Sequence, residues 1–404
     1  MACQSTSHRA ARGSRMGASV LAMAALGMDA AAEQKKIDGA TNLDRVTTAV
    51  ESGGLIWPPY VVGSLSIGLF NDHTFQADDP NEKINDIFGE SRLEAFVFLS
   101  RNIYVETGWL VEPVDAPIAG RDRFLEAHAL KWGALSLTFE SGDFWISAGK
   151  GPVHFGIAES VAPGIYGSDI ASDFYAIKGR VGVGANYGFD AGDFGSHALR
   201  GGVFTLDTSW LATPFFSDFD PPKRSTGGAG NTNGLKNWAI ALDGGGIDVL
   251  PGFRYHLSYV NQQTEFLRLP NGKKVPRDAL GNEHRYAAAI TWLPIALIDE
   301  LSVTPFVEYA RLENARGRRN RTEGYLTSSL DLQYRQWSLA LAATGWEVKT
   351  PDGSRTSNLQ AQISAGYTFD NGVTFEAGFR SLNEDNENSE TFGLALNYEL
   401  PFAF

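Results

Sequence analysis

The sequence predicts an all-β fold: a transmembrane antiparallel β-barrel of about sixteen strands with a loop folded into it. Three observations predict this. Phe392, Leu394, Leu396, Tyr398, Leu400, Phe402 and Phe404 alternate with Gly393, Ala395, Asn397, Glu399, Pro401 and Ala403, so the last strand has one wholly apolar face. Short turns and longer polar loops alternate along the chain, as expected when the two rims of a barrel differ. Glycine is abundant (44 residues) and aromatics reach 12%, yet no segment after the first thirty residues supplies the ~20 apolar residues of a spanning helix. Lumen-facing and lipid-facing residues that alternate cancel in any hydropathy window, which is the barrel signature.

A chain that ends on Phe404 inside such a strand resembles the terminal strand of bacterial outer-membrane β-barrels, and with the strand-and-loop architecture and the loop 151–176 it resembles the bacterial outer-membrane porins. The resemblance implies that the terminal strand, with Phe404, is the signal read by the barrel assembly machinery. The first residues agree with export. Arg9, Arg12 and Arg15 precede the short apolar stretch 16–28, and Ala30, Ala31 and Ala32 form a small-residue cleavage site. Residues 1–32 are therefore expected to be a signal peptide, 33–58 a periplasmic N-terminal segment, and 59–404 the transmembrane barrel. The only cysteine, Cys3, would leave with the signal, so no disulfide is expected in the exported chain.

Taken in order, strands are expected at about 60–71, 89–99, 102–112, 124–139, 143–150, 177–189, 196–210, 236–247, 253–266, 284–294, 300–312, 323–334, 337–348, 357–368, 372–382 and 389–404. In 253–259, Phe253, Tyr255, Leu257 and Tyr259 alternate with Arg254, His256 and Ser258; in 373–380, Val373, Phe375, Ala377 and Phe379 alternate with Thr374, Glu376, Gly378 and Arg380. Each strand thus offers one face to lipid and a polar or small face to a lumen. Phe369, Trp337, Trp292 and Tyr187 fall at strand ends beside short turns, which suits an interfacial girdle. Two strands break the pattern. Lys131 falls on the nominal lipid face, and 196–210 shows no clear face, so a bulge or a misplaced boundary is expected in each. The long connections are 72–88, 113–123, 151–176, 211–235, 267–283, 313–322, 349–356 and 383–388.

Loop 151–176 is the most distinctive connection. It carries Phe155, Ile157, Val161, Ile165, Tyr166, Ile170 and Phe174, too apolar for an exposed loop. Its length and content resemble the constriction loop of sixteen-stranded porins. Glu159, Asp169 and Asp173 on this loop are expected to face a basic wall of Lys178, Arg180, Arg254 and Arg285 across the pore. Inward acidic groups are expected at Glu94, Glu106, Glu126, Glu308, Asp331, Glu376 and Glu399. Such opposed charges would set a transverse field. Arg316, Arg318, Arg319 and Arg321 read as an outward loop cluster suited to lipopolysaccharide phosphates.

The net charge of −13 argues against a nucleic-acid partner. There is no G-x-S-x-G, no H-E-x-x-H and no cysteine pair, and the seven histidines lack metal-ligand spacing, so no enzyme activity, cofactor or metal is expected. The expected function is a porin of the bacterial outer membrane, a water-filled channel for passive diffusion and ion transport. The stretch 146–158, with Gly149-Lys150 and His154-Phe155-Gly156, is similar to porin-like siderophore-uptake proteins, which implies a ligand-selective uptake porin as the alternative. The porin resemblance also implies lipid and lipopolysaccharide contacts, small solutes as cargo, and a homotrimer.

Overall fold

The computed structural model describes residues 58–217, 220–269 and 271–404. The expected signal peptide and nearly all of segment 33–58 lie outside the described residues. The described strands, in chain order, are β1 (Tyr60–Ala77), β2 (Asn85–Phe98), β3 (Ile103–Pro113), β4 (Arg123–Phe124), β5 (His128–Ser141), β6 (Phe144–Val153), β7 (Ile177–Asp190), β8 (Ser196–Leu206), β9 (Asn237–Gly245), β10 (Phe253–Gln262), β11 (Glu283–Trp292), β12 (Ile295–Ile298), β13 (Leu301–Glu313), β14 (Thr322–Tyr334), β15 (Trp337–Lys349), β16 (Arg355–Thr368), β17 (Val373–Glu384) and β18 (Glu387–Ala403). Sixteen are staves of a closed antiparallel barrel, each paired with its neighbour in the chain. Closure comes from β1 against β18, in register from Val62↔Ala403 to Ala77↔Ser389. The backbone thus has no open sheet edge, the condition for crossing a bilayer with strands. No described helix is long and apolar enough to cross a membrane.

The other two strands are local. β12 extends a turn beside β13. β4 lies parallel to the end of β2, where the Arg123 guanidinium grips both Asp86 carboxylate oxygens at 2.6 and 2.8 Å and ties the β3–β5 loop to the barrel.

The expected faces hold. Ile67, Leu137, Leu257, Ile290, Leu326, Ile363 and Leu396 are exposed outward, while Ser64, His256, Ser364 and Thr391 are buried inward. The bulge expected near Lys131 is present, and it takes Lys131 off the lipid face. Gly108 pairs with Ala134 but Trp109 pairs with Trp132, so Gly133 is an extra residue that flips the strand beyond it. Lys131 then points into the lumen and pairs with Glu112. No register shift occurs between β8 and either neighbour. Leu199 and Val203 face outward, while Arg200 and Phe204 are buried inward, and 207–210 belong to the following loop. The expected misplaced boundary is what occurs there, and the strand shows no clear face in the sequence because a large apolar residue, Phe204, faces the lumen and Gly201 faces lipid.

Two expected long loops are short. β1 and β2 run on to leave only 78–84, and β17 and β18 are joined by Asp385-Asn386 alone. Both turn residues have positive φ (51° and 64°), the two-residue hairpin geometry that Asp and Asn tolerate. Glu126 is also corrected. It lies before β5 in the loop, exposed and paired with Arg121, and does not face the lumen.

Candidate functional site: a loop crossing the lumen

The β6–β7 connection leaves the wall at His154, forms one helical turn, α1 (Ala158–Val161), then a π turn (Ala171–Tyr175), and rejoins at Ile177. Its side chains and backbone bond to the inner faces of distant strands, so it lies inside the barrel. Three anchor groups hold it.

The first anchor is Glu308 on β13, whose residue is almost fully buried at 1% exposure. Its Oε2 accepts the backbone N–H groups of Ile157 and Ala158, and its Oε1 accepts the Tyr175 hydroxyl at 2.7 Å. Both ends of the loop thus meet one carboxylate. Gly156 is required beside it. Its φ is 63°, and a Cβ there would stand 2.9 Å from Glu308 Oε1.

The second anchor is the inward face of β16. Gln360 Nε2 donates to the Tyr166 carbonyl at 2.7 Å, Gln362 Nε2 donates to the Pro163 carbonyl at 2.9 Å, and Ser364 Oγ accepts the Ile165 N–H at 3.2 Å. Period two places these three groups in a row, and the loop backbone uses them as a strand would use a neighbour.

The third anchor is Tyr166 at the loop tip, fully buried among Phe70, Phe88, Ile165 and Ala395. Its hydroxyl donates to Asp72 Oδ1 at 2.9 Å. The Arg380 guanidinium lies 4.6 Å from its ring centroid and reaches Asp169 Oδ2 at 3.3 Å. Gly393 on β18 leaves room for this ring, because a Cβ there would fall 2.1 Å from the hydroxyl oxygen.

Between the anchors the loop packs its apolar side chains on the wall. Phe155, Ile157, Ala162, Ile170 and Tyr175 join Phe204, Val260, Phe306, Leu312, Tyr325 and Trp346 in one buried cluster. Each side chain of this size contributes roughly 1.5–3 kcal/mol by burial. The lumen therefore has a dry side against β8–β15, whereas the sequence implies a polar lumen throughout.

The sequence-predicted charges are distributed differently from expectation. Glu159 and Lys178 do form an ion pair, and Lys178 Nζ also donates to Ser172 Oγ at 2.6 Å. Asp169 instead turns to Arg380 on β17. Asp173 lies on the π turn, half-buried. Arg180 and Arg285 form one chain through Gln262 and Glu283. Arg180 Nη2 donates to Gln262 Oε1 at 3.3 Å, Gln262 Nε2 to Glu283 Oε1 at 2.6 Å, and Arg285 Nε to the same oxygen at 2.7 Å. Arg285 Nη1 also donates to the Tyr175 carbonyl. Arg254 lies at the other end of β10, half-buried. Arg316 and Arg321, read as outward, pair with the buried Glu323.

Depth follows from position along each strand. Lys178, Arg180 and Arg285 stand at the long-loop ends of β7 and β11. Glu94, Glu106, Asp331, Glu376 and Glu399 stand toward the short-turn ends of β2, β3, β14, β17 and β18. The charge separation runs along the barrel axis as well as around it.

Arg380, Asp72 and the role of Glu308 escaped the sequence reading, because nothing in a strand pattern says which inward group a distant loop will meet. The inward Gln360-x-Gln362-x-Ser364 run was a usable signal, since an amide row on a lumen face invites a backbone partner. The fold also gathers His154, Asp243 and His256, which the sequence keeps far apart.

No family model matches the sequence, and no curated protein matches it. Solved structures do. OprB of Pseudomonas putida aligns at a TM-score of 0.60 and 11% identity, over 88% of this chain and 96% of that one. OmpF of Salmonella typhi, solved with daunomycin, aligns at 0.53 and 12%, over 84% and 97%. The outer membrane channel DcaP of Acinetobacter baumannii aligns at 0.52 and 10%, over 84% and 96%. The porin resemblance read from the sequence stands at the level of the fold.

Proposed function

We propose that this chain is an outer-membrane channel for passive diffusion of small hydrophilic solutes, with the segment after β6 as its constriction. One observation carries the reading: a closed barrel holds a loop across its lumen, anchored at Glu308, Gln360–Ser364 and Asp72. A barrel that served only as a scaffold would have no use for an anchored loop that leaves Lys178 exposed and Glu159 and Arg180 only partly buried. In this reading Glu159, Asp173, Lys178, Arg180, Arg254 and Arg285 line the path, while Asp169 serves to hold the loop. Phe404 marks the chain for assembly. The homotrimer and the lipopolysaccharide contacts belong to the same proposal.

Single-channel recording in planar bilayers tests it. Replacing 158–169 by a short Gly-Ser linker should raise conductance while heat-modifiable mobility shows the barrel still folded. Unchanged conductance would place the narrowest point elsewhere, and no channel activity in the intact chain would end the reading. A second reading, uptake of an anionic solute, is favoured by Arg180, Arg285, Arg316 and Arg321 converging on only two carboxylates, Glu283 and Glu323. Saturable block of the current by a polycarboxylate would support it.

A further inference from the structure

Three chemistry-bearing side chains from separate parts of the chain meet at the root of the crossing loop. His154 is the first loop residue after β6, Asp243 lies on β9, and His256 lies on β10. One ligand atom from each lies within 4.8 Å of the others. His256 Nδ1 is 2.7 Å from Asp243 Oδ1, and His154 Nε2 is 3.1 Å from Asp243 Oδ2. The two imidazoles stand perpendicular, with centroids 4.8 Å apart. His256 is completely buried, whereas the His154 side chain keeps 24% exposure toward the lumen.

The geometry points to a site for a first-row divalent ion of the zinc class, bound by His154 Nε2, His256 Nδ1 and one Asp243 oxygen, with a fourth position open to lumen water. Two imidazoles and one carboxylate suit zinc, copper or nickel. They do not suit calcium or magnesium, which want six or more oxygens. Donors around a tetrahedral ion at bond lengths of ~2.0–2.2 Å stand roughly 3.4 Å apart. With Asp243 Oδ1 as the carboxylate donor, His154 Nε2 already stands at 3.4 Å and His256 Nδ1 must open from 2.7 Å. The two imidazole nitrogens, which lie within 4.8 Å of each other, must draw together, and His154, on the loop side, can supply that movement.

The surrounding groups fit both the empty and the loaded state. Ser258 Oγ lies 2.9 Å from His256 Nε2 and also accepts the Gly156 N–H at 3.3 Å. Without metal the Ser258 hydroxyl can donate to Nε2, leaving a proton on Nδ1 for Asp243. With metal on Nδ1, the same oxygen accepts Nε2–H and fixes the tautomer. Arg200 Nε lies 3.0 Å from Asp243 Oδ2 and opposes a cation there. It lowers affinity, so the site is exchangeable rather than permanent, and it orients the carboxylate. The competing reading is a closed hydrogen-bond network in which two imidazoles and Arg200 share one carboxylate.

Metal held here would clamp the loop to β9 and β10. That consequence rests on the channel reading, but the site itself does not. The test is equilibrium dialysis of the full chain, folded in detergent and stripped with EDTA, against zinc. One ion per chain is expected, and its loss in His154→Ala, with heat-modifiable mobility unchanged. Cobalt should give the visible absorption of a tetrahedral nitrogen–oxygen site, absent in that variant. Ser258→Ala should weaken binding by about 10–100-fold. Zinc bound equally by intact chain and His154→Ala, or not bound at all, overturns the site. Zinc-dependent, EDTA-reversible change in channel current would support the clamp. Binding without any change in current would keep the site and remove the clamp.

Discussion

Glu308 and the carboxylates nearer the short-turn rim are the same chemistry in two regions of one lumen, and they have opposite fates. Glu308 is enclosed by the loop, and its oxygens are spent on Ile157, Ala158 and Tyr175. Glu94, Glu106, Glu376, Glu399 and Asp331 take no hydrogen bond from the loop: Glu106 accepts from Ser136, Asp331 from Gln333, and only Glu94 among them reaches a cation, Arg92 at 3.3 Å. The difference shows that an inward carboxylate in a barrel is not by itself a selectivity residue. Its role depends on whether a hydrogen-bond donor from another part of the chain reaches it first.

The comparison breaks most readily at Glu308. In Glu308→Ala, two backbone N–H groups and one hydroxyl lose their acceptor, at roughly 1–3 kcal/mol for each donor left buried and unpaired. The loop should detach while the barrel stays closed, seen as protease cleavage between 157 and 175 and as noisier open-channel current. A quiet, protease-resistant Glu308→Ala would show that the apolar cluster alone holds the loop.

The rim carboxylates should behave in the other way. The double variant Glu94→Gln, Glu106→Gln should leave stability and loop protection nearly unchanged but shift the reversal potential away from cations. The shift should fade with salt, since the Debye length falls from ~10 Å at 0.1 M to ~3 Å at 1 M. No shift at low salt would mean these groups lie off the conduction path. Arg180→Gln should move the potential in the opposite sense and by less, because the Gln262–Glu283–Arg285 chain keeps compensating charge close by.

The smallest effect belongs to a third carboxylate, on the outer loops. Glu265 accepts from Lys236 at 2.8 Å and pairs with Arg224. The Lys236 hydrogen bond, the largest influence, and Arg224 hold its carboxyl below the ordinary value of 4.5. A depressed carboxyl stabilises above its ordinary value and loses that contribution as pH falls through the folded value. Hydrogen exchange of 223–236 should therefore rise only in acid below that range, with Glu265→Gln showing the faster exchange at neutral pH and no acid step. An acid step that survives in Glu265→Gln would place the titration elsewhere.

The sixteen staves, their order and, outside β8 and the stretch beyond the Gly133 bulge, which residues face lipid were legible because each depends only on local alternation and on the turn residues between strands. Phe392–Phe404 reads as a membrane strand without any knowledge of β1. The inward course of the β6–β7 loop was legible too, since residues as apolar as Ile165 and Tyr166 need cover. What the alternation could not specify was partnership across the lumen. Asp169 meets Arg380 211 positions away, Tyr166 meets Asp72 94 positions away, and His154 meets Asp243 89 positions away. Barrel closure brings those partners together, through the register of β1 on β18. A period-two pattern fixes only the side of the wall on which a residue stands. The curvature of the closed sheet decides what stands opposite, and that alone separates an anchor such as Glu308, which the loop reaches, from a carboxylate such as Glu106, which Ser136 on the next stave reaches.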